Sequence, residues 1–179
     1  MIVLLGIAGS GKSTQADLLA ERLRCPRLSS GDVLRQNSDN EEVRTALESG
    51  VLVKDEILLP LIERKLKNLD ADKNEFILDG VPRNVNQAKW LVDKIKQGQI
   101  SLTAIIHLTI SKQAVLRRLA ERGRHDDTPG AIEQRFSEYG SSVLPALDYF
   151  RARGLPFTEI NGDQSVEAVA SDIRAAINQ

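Results

Sequence analysis

The segment Gly6-Ile-Ala-Gly-Ser-Gly-Lys-Ser13 has the residue types and spacing most directly tied to chemistry, since it fits the pattern G-x-x-x-x-G-K-[ST]. Its glycines let consecutive backbone N–H groups converge on one anion, and a helix that starts behind them adds partial positive charge. Lys12 can reach the outer phosphates of a nucleotide, and Ser13 or Thr14 can offer a hydroxyl to Mg²⁺. The loop predicts binding of a nucleoside triphosphate with Mg²⁺, but it leaves open which acceptor is used and whether transfer occurs. The residues expected around the phosphates are Gly9, Ser10, Gly11, Lys12, Ser13 and Thr14.

A second candidate for metal chemistry is Asp79, which ends the apolar stretch Phe76-Ile-Leu-Asp79. A carboxylate at the end of a strand can hold the shell of Mg²⁺, as the corresponding acid does in other proteins with a phosphate-binding loop. The alternative is that Asp79 caps the helix that follows. We predict that Ser13 and Asp79 lie near the metal, with contact through water.

Six arginines follow predicted strand ends or lie beside a polar loop, and together they predict a centre for phosphoryl transfer. The transferring group needs positive charge on its equatorial oxygens, which the planar guanidinium group supplies. Arg118 and Arg122 are four residues apart on one predicted helix and therefore share a face. Any one of the six taken alone is better explained as a solvated surface charge. The six are Arg35, Arg83, Arg118, Arg122, Arg124 and Arg135.

Short apolar segments alternate with helical ones along the chain, which predicts a parallel sheet covered by helices on both faces. Ligands of such sheets bind beyond the carboxyl ends of the strands. The predicted strands are residues 2–5, 27–29, 75–78, 103–109 and 156–160. The predicted helices are residues 12–24, 30–66 with breaks near 37–40 and at Gly50, 84–97, 111–122, 132–153 with a bend at Pro145, and 165–177.

Length and composition restrict the class of protein. The 179 residues fit one domain, with 41% apolar and 27% charged residues. A net charge of −1 does not suggest a nucleic-acid scaffold, and no apolar run approaches the ~20 residues of a membrane span. The single cysteine, Cys25, excludes an intrachain disulfide and a cysteine zinc site. Because the first residues lack a basic leader, we expect a cytoplasmic protein without nucleic-acid or membrane partners.

In these segments the chain resembles the adenylate kinase family of nucleoside monophosphate kinases. The resemblance covers nearly all 179 residues in order. It is carried by residues 6–16, 28–35, 50–56, 76–83, Gln87, 118–124, Asp126, Asp127 and Arg135. It implies an α/β fold of the P-loop NTPase type, with three layers and a five-stranded parallel sheet. It also implies one kinase domain over residues 1–179, a helical NMP-binding insertion at 30–59, and a short lid at 123–134 that carries no zinc.

The resemblance implies a role for each matching residue. The catalytic residues would be Lys12, Arg83, Arg122, Arg124 and Arg135, and Asp126 and Asp127 would orient the arginines of the lid. ATP would be bound by Gly9, Ser10, Gly11, Lys12, Ser13, Thr14, Arg118, Arg122 and Gln164. AMP would be bound by Ser30, Gly31, Arg35, Val51, Val53, Gly80, Arg83, Gln87, Arg124 and Arg135. The chain departs from the proline, glycine and aromatic residue usual in the family at Ala8, Ser13 and Val81.

Gln87 bears on the base of the acceptor. Its amide offers one donor and one acceptor, which match the N1 and N6 edge of adenine, but cytosine or, with the amide flipped, uracil could also pair. Within the family, glutamine at this position and a hydroxyl at Ser30 accompany AMP, whereas Asn84 resembles the uridylate and cytidylate kinases. AMP is therefore the predicted acceptor, and UMP or CMP is the alternative.

The predicted reaction is reversible transfer of the γ-phosphoryl group from MgATP to AMP, which gives two ADP and maintains the balance of adenine nucleotides. Transfer is expected to be direct and in line, and a monomer is expected from the resemblance. The alternatives from other classes are a non-catalytic nucleotide-binding module or switch, and a kinase of a small metabolite. Against a switch, the chain has no N-K-x-D guanine motif, and a switch gains nothing from a second anion site at Arg35 and Arg83.

Overall fold

The fold is built around a parallel sheet whose five strands lie in the order β2-β3-β1-β4-β5. The computed structural model describes residues 1–177, so residues 178 and 179 of the predicted domain lie outside the described part. The strands are β1 Ile2–Leu5, β2 Arg27–Ser29, β3 Ile77–Asp79, β4 Ala104–Thr109 and β5 Phe157–Asn161. The prediction of a five-stranded parallel sheet is confirmed. The third strand starts two residues later than predicted and includes Asp79.

Helices connect these strands. They are α1 Lys12–Leu23, α2 Ser30–Arg35, α3 Glu41–Ser49, α4 Asp55–Asn68, α5 Val85–Lys96, α6 Lys112–Arg122, α7 Pro129–Glu138, α8 Leu144–Arg151 and α9 Val166–Ile177. Local sequence explains several starts, because Asn40, Asn84 and Ser111 each accept a hydrogen bond from the backbone N–H three residues later. No helix within the described residues is long and apolar enough to cross a bilayer.

Alternate residues of β1 pack into two different cores. Val3 and Leu5 belong to the larger core, which includes residues of α2–α5 and α8. Ile2 and Leu4 belong to the core that includes residues of α1 and α9. A strand buried on both faces has to be apolar throughout, and β1 reads Ile-Val-Leu-Leu. The predicted three layers are therefore present, with helices on each side of the sheet.

The predicted helix over residues 132–153 is present as a continuous helical segment from 129 to 151, but a π-helical turn interrupts its regular α-helical bonding. The first helix, α7, already begins at Pro129, and the hydroxyl of Thr128 caps it. The π-helical turn, Tyr139–Val143, separates α7 from α8. Since Pro145 has no N–H to bond to the preceding turn, regular α-helical bonding is interrupted here rather than merely bent.

A buried histidine ties the π-helical turn to the sheet. His107 on β4 is 3% exposed, its Nδ1 lies 2.8 Å from Oε1 of Glu159, and its Nε2 lies 2.6 Å from the hydroxyl of Tyr139. A carboxylate can only accept, so Nδ1 carries the proton and the hydroxyl of Tyr139 donates to Nε2. Burial lowers the pKa of His107; Glu159 opposes this effect, and Arg151 and Lys12 add to it. Folding therefore favours the neutral imidazole.

This histidine should make the stability of the protein depend on pH. Below about pH 6.5 the unfolded chain takes up a proton on His107 that the folded chain still excludes, so the free energy of unfolding should fall. The loss should level off below the lowered pKa of the folded state. His107→Gln can keep both hydrogen bonds without titrating, and its unfolding free energy should vary less over the same range. Chemical denaturation at a series of pH values measures both proteins, and an equal pH dependence would contradict this prediction.

Candidate active site

The carboxyl ends of β1, β2 and β3 open onto one large cavity of about 600 Å³. Other parts of its wall come from residues 50–53 and from side chains of α6 and α7. Most of the residues predicted for the site line this cavity: Gly9, Ser10, Gly11, Lys12, Ser13, Thr14, Ser30, Gly31, Arg35, Val51, Val53, Asp79, Gly80, Arg83, Arg118, Arg122, Arg124, Asp126, Arg135 and Gln164. The two predicted residues outside its wall are Gln87 and Asp127.

The loop after β1 has the backbone that an anion site requires. Gly9 and Gly11 adopt φ angles of 83° and 94°, in the left-handed region that favours glycine. A Cβ at Gly9 would also lie 3.1–3.3 Å from side-chain atoms of Leu119 and Val115 on α6, so the loop and this helix approach closely. Because α1 begins at Lys12, directly after the loop, a helix N-terminus lies beside the cavity.

Lys12 lies in the wall of the cavity, where its ammonium group is short of water. Its Nζ donates a hydrogen bond to the carbonyl oxygen of Ile7 at 2.8 Å. Loss of hydration lowers the pKa of Lys12 to about 8; Asp79 opposes this effect, and Arg83 and Arg122 add to it. A phosphate group beside Lys12 would favour its charged form.

Ser13 and Asp79 form a polar corner of the cavity between α1 and β3. The Ser13 hydroxyl donates to Oδ2 of Asp79 at 2.9 Å, and Asp79 is 3% exposed. A hydroxyl and a carboxylate are hard oxygen donors, which suit Mg²⁺, and this ion usually takes few protein ligands and completes its shell with phosphate and water. Within residues 1–177, no three His, Cys, Asp or Glu side chains form a ready-made metal site. The corner thus fits a metal ion that arrives with a nucleotide.

The turn after β3 holds a hydroxyl and a guanidinium group side by side. The carbonyl oxygen of Gly80 accepts from Oγ of Ser30 at 3.0 Å and from Nε of Arg83 at 2.8 Å. Gly80 has a φ of 83°, and a Cβ there would lie 2.6 Å from Oγ of Ser30. Glycine is therefore required at this turn on two grounds, backbone conformation and space.

Two aspartates hold the arginines of α6 and α7. Arg135 donates to Oδ2 of Asp126 at 2.7 Å and to Oδ1 of Asp127 at 2.6 Å. Arg122 donates to both carboxylate oxygens of Asp127, at 2.9 and 2.6 Å. Oδ1 of Asp126 is buried and has no partner among the described residues. These contacts fix the positions of Arg122 and Arg135, and Asp127 makes them from behind the cavity wall.

Positive charge is concentrated around the cavity. Burial lowers the pKa of Arg83, and repulsion from Arg135 and Arg35 adds to the effect. Burial likewise lowers the pKa of Arg124, with repulsion from Arg122 and Arg35. These neighbouring guanidinium groups repel each other until an anion neutralises their charge. The arrangement is therefore suited to bind several phosphate groups and to stabilise charge that moves between them.

Arg118 joins the loop after β1 to the segment after β5. Its NH2 donates to the carbonyl oxygens of Gly162 and Gln164 at 2.9 and 3.3 Å, and its NH1 donates to that of Ser10 at 3.4 Å. The guanidinium group and the backbone at Gln164 consequently form one end of the cavity. The structure thus brings together the two residues that the resemblance assigns to ATP.

Gln87 lies behind the cavity wall and is 1% exposed. Its Oε1 accepts from the backbone N–H of Arg83 at 2.7 Å, and its Nε2 donates to Oδ1 of Asp55 at 2.7 Å. Since a carboxylate can only accept and a backbone N–H can only donate, both contacts favour the same orientation of the amide. One N–H of the amide and one lone pair of its oxygen remain for a further partner.

The residues at or beside the cavity that were not predicted from the sequence include Arg27, Asp55 and Tyr139. Arg27 bonds to Asp79, Asp55 bonds to Gln87, and Tyr139 lines the cavity. The first two pairs are 52 and 32 residues apart in the chain. Arg27 begins a three-residue strand, and Asp55 begins a helix, where an acid is common for local reasons, so no local signal marks either residue.

Comparison with known proteins agrees with this geometry. A sequence model of the family described as adenylate kinase matches residues 4–155. Adenylate kinase 1 of Nostoc sp. is 38% identical over 181 residues, which cover 98% of this chain and 97% of that protein. The adenylate kinase of a Mycobacterium sp. is 43% identical over 156 residues, covering 84% of this chain and 86% of that protein. That of Corynebacterium urealyticum is 33% identical over 183 residues, covering 99% of each. With a phosphate loop and converging arginines in one cavity, this chain belongs to the adenylate kinase family of nucleoside monophosphate kinases.

Proposed function

We propose that the chain catalyses reversible transfer of the γ-phosphoryl group from MgATP to AMP, giving two ADP. The observation that carries this proposal is the convergence of the phosphate loop and two groups of arginines on one cavity. A switch or a binding module needs one anion site, whereas a phosphotransferase needs a second phosphate beside the first.

On the donor side, we propose that the loop Gly9–Thr14 cradles the phosphates of ATP and that Lys12 holds the outer ones. Arg118 and Gln164 would border the adenine of ATP. Mg²⁺ would be held near Ser13 and Asp79 through water, and when bound it would neutralise part of the phosphate charge. The hydroxyl–carboxylate contact at 2.9 Å supports this assignment.

On the acceptor side, Arg35 and Arg83 would bind the phosphate of AMP. Arg122, Arg124 and Arg135 would hold the transferring group and neutralise charge on its equatorial oxygens. The remaining AMP contacts would come from Ser30, Gly31, Val51, Val53 and Gly80. A general base is not needed, because the attacking group is already a phosphate anion.

We propose that the site closes over its substrates. Residues 30–59, which comprise α2, α3 and the start of α4, would form the NMP-binding insertion. Residues 123–134, a loop and the first half of α7, would form the short lid. Closure on both nucleotides would keep water from the activated phosphoryl group. The contacts of Asp126 and Asp127 support this role, since they fix Arg135 and Arg122 at the two ends of the proposed lid.

Gln87 is the proposed reader of the acceptor base. The orientation of its amide is set by Asp55 and by the N–H of Arg83, and the remaining N–H and lone pair form a donor–acceptor pair of the kind that adenine N1 and N6 require. Because Gln87 lies behind the wall, reading the base would require the wall beside it to shift when AMP binds. A fixed amide would disfavour bases that need the flipped orientation.

The proposal is tested by offering the purified protein MgATP with AMP, UMP, CMP or GMP and measuring ADP formation. We expect a strong preference for AMP in kcat/KM, and Gln87→Ala should reduce that preference. Trp90→Phe on the same helix, which removes a contact with Glu63 outside the cavity, serves as a control and should retain the preference. A preference for UMP or CMP would contradict the choice of base, and the absence of acceptor-dependent ADP formation would contradict the reaction itself.

A further inference from the structure

Arg27, the first residue of β2, is in contact with three carboxylates. Its NH1 lies 2.7 Å from Oδ1 of Asp17, and its NH2 lies 3.1 Å from Oδ2 of Asp32 and 3.0 Å from Oδ2 of Asp79. The Arg27 side chain is 18% exposed and that of Asp79 is 3% exposed, so the last of these pairs is largely shielded from water. The Arg27 guanidinium group therefore neutralises part of the negative charge of Asp17, Asp32 and Asp79 together.

The two carboxylates on NH2 belong to different parts of the active site. Asp79 also accepts from the hydroxyl of Ser13, at the corner proposed for the metal. Asp32 bonds through its other oxygen to Arg35 at 2.5 Å, on the side proposed for the acceptor. Arg27 is thus the shared partner of the metal side and the acceptor side of the cavity.

We propose that Arg27 neutralises part of the charge of Asp79 and Asp32 and thereby lowers the affinity of the nucleotide-loaded site for Mg²⁺. This inference rests on the proposed function, because it assumes that Asp79 contacts the shell of a metal that binds with the nucleotide. The positive charge of Arg27 lies against the carboxylate that attracts the metal, so it weakens that attraction. It also stabilises the charged form of Asp79 when no metal is present, because burying an unpaired carboxylate, here 3% exposed, lowers the free energy of unfolding.

Two opposite effects follow when Arg27 is replaced by a neutral residue. In Arg27→Gln, Asp79 loses its charged partner, so the melting temperature of the metal-free protein should fall by several degrees. The same loss removes a repulsive charge near the metal, so Mg²⁺ should half-saturate the enzyme–ADP complex at a concentration about three- to tenfold lower. A purely structural ion pair would produce the first effect without the second.

The test is a calorimetric titration of Mg²⁺ into enzyme with bound ADP, with the enzyme in excess so that little nucleotide is free. Thermal unfolding with EDTA, and then with Mg²⁺ and ADP, gives the second readout. We expect Mg²⁺ with ADP to restore more stability in Arg27→Gln than in the parent protein. Arg27→Lys, which keeps the charge, should stay close to the parent protein in the Mg²⁺ titration.

Arg151→Gln provides a matched control. Arg151 also bonds to two carboxylates, those of Asp148 and Glu159, but neither of them lines the cavity, whereas Asp79 does. This variant should leave the Mg²⁺ titration unchanged, whatever it does to the melting temperature. If Arg27→Gln does not fold, Arg27→Met replaces it, because it keeps the apolar stem and removes the same charge.

The outcomes separate this inference from the proposed function. An Mg²⁺ titration of Arg27→Gln or Arg27→Met that coincides with the parent curve, or shifts to higher concentration, overturns the role of Arg27. A parent protein that binds ADP without any effect of Mg²⁺ overturns the proposed metal corner, and with it this inference. A parent protein that binds no ADP overturns the proposed function.

Discussion

Arg83→Ala should lower the turnover number by about 10³–10⁵-fold in a protein that still folds. The side chain lies in the cavity wall, and its Nε is held by the carbonyl oxygen of Gly80 at 2.8 Å. Its backbone N–H donates to Oε1 of Gln87 at 2.7 Å. Both the backbone and the guanidinium group of Arg83 are therefore held in place. Fixed positive charge of this kind would hold the attacking phosphate of AMP and stabilise the charge that develops during transfer without reorganisation, and a mobile water cannot replace it.

Steady-state kinetics with MgATP and AMP measure this effect, and circular dichroism checks that the variant is folded. Arg83→Lys should recover only part of the activity, because an ammonium group keeps the charge but loses the planar fork. Arg117→Ala is the control, since Arg117 is exposed on α6 and does not line the cavity. Unchanged turnover in a folded Arg83→Ala protein would remove Arg83 from the catalytic residues.

Lys12→Met should cause a loss of turnover of similar size, about 10³–10⁵-fold by analogy with the removal of a catalytic arginine. Lys12 follows the glycines of the loop, and loss of hydration lowers its pKa to about 8. A lysine that is short of water and near two arginines, Arg83 and Arg122, gains more from a phosphate partner than an exposed lysine does, because little water has to be displaced. Methionine has a stem of similar length, so the loss should reflect the missing charge.

The same pKa predicts a pH dependence of nucleotide binding. Above about pH 8 the Lys12 ammonium of the free protein loses its proton, so the affinity for ATP should decline as the pH rises through this range. Bound phosphates raise the pKa of Lys12, so turnover at saturating ATP should be maintained to higher pH than binding. Binding titrations across this range should show the decline in the parent protein and not in Lys12→Met. Lys89→Met, at an exposed position on α5, should behave like the parent protein. A parent affinity that stays constant well above pH 8 would contradict the assignment.

Most of the fold could be predicted from the sequence because the signals are local. The strand β1 is apolar at every position, which is what burial on both faces demands. Helix starts at Asn84 and Ser111 follow from side chains that bond to the backbone N–H three residues later. The π-helical turn at 139–143 could not be predicted in the same way. Pro145 indicates a disturbance of the helix, but the contact that ties the turn to the sheet, the hydrogen bond of Tyr139 to His107, joins residues 32 positions apart in the sequence.

The candidate site also has parts that local sequence predicts and parts that depend on contacts between distant residues. The phosphate loop is a continuous segment whose glycines, lysine and serine act within a few residues of each other, so residues 6–13 alone predict an anion site. Arg35, Arg83 and Arg135 were found because each follows a strand or a loop that a parallel sheet must bring to the same edge. The order of strands and helices along the chain was sufficient to predict that these arginines lie at the same edge of the sheet.

Which partner each of these side chains takes depended on packing across the sheet. Arg27 bonds to Asp79 only because β2 and β3 are neighbours, with Ser29 opposite Asp79. Gln87 turned out to lie behind the cavity wall with its amide held by Asp55, 32 residues away, although its residue type suggested direct contact with a base. Hydrogen bonds and ion pairs form between whichever groups the fold brings within about 3 Å, and that distance is set by the packing of whole elements rather than by neighbours in the chain.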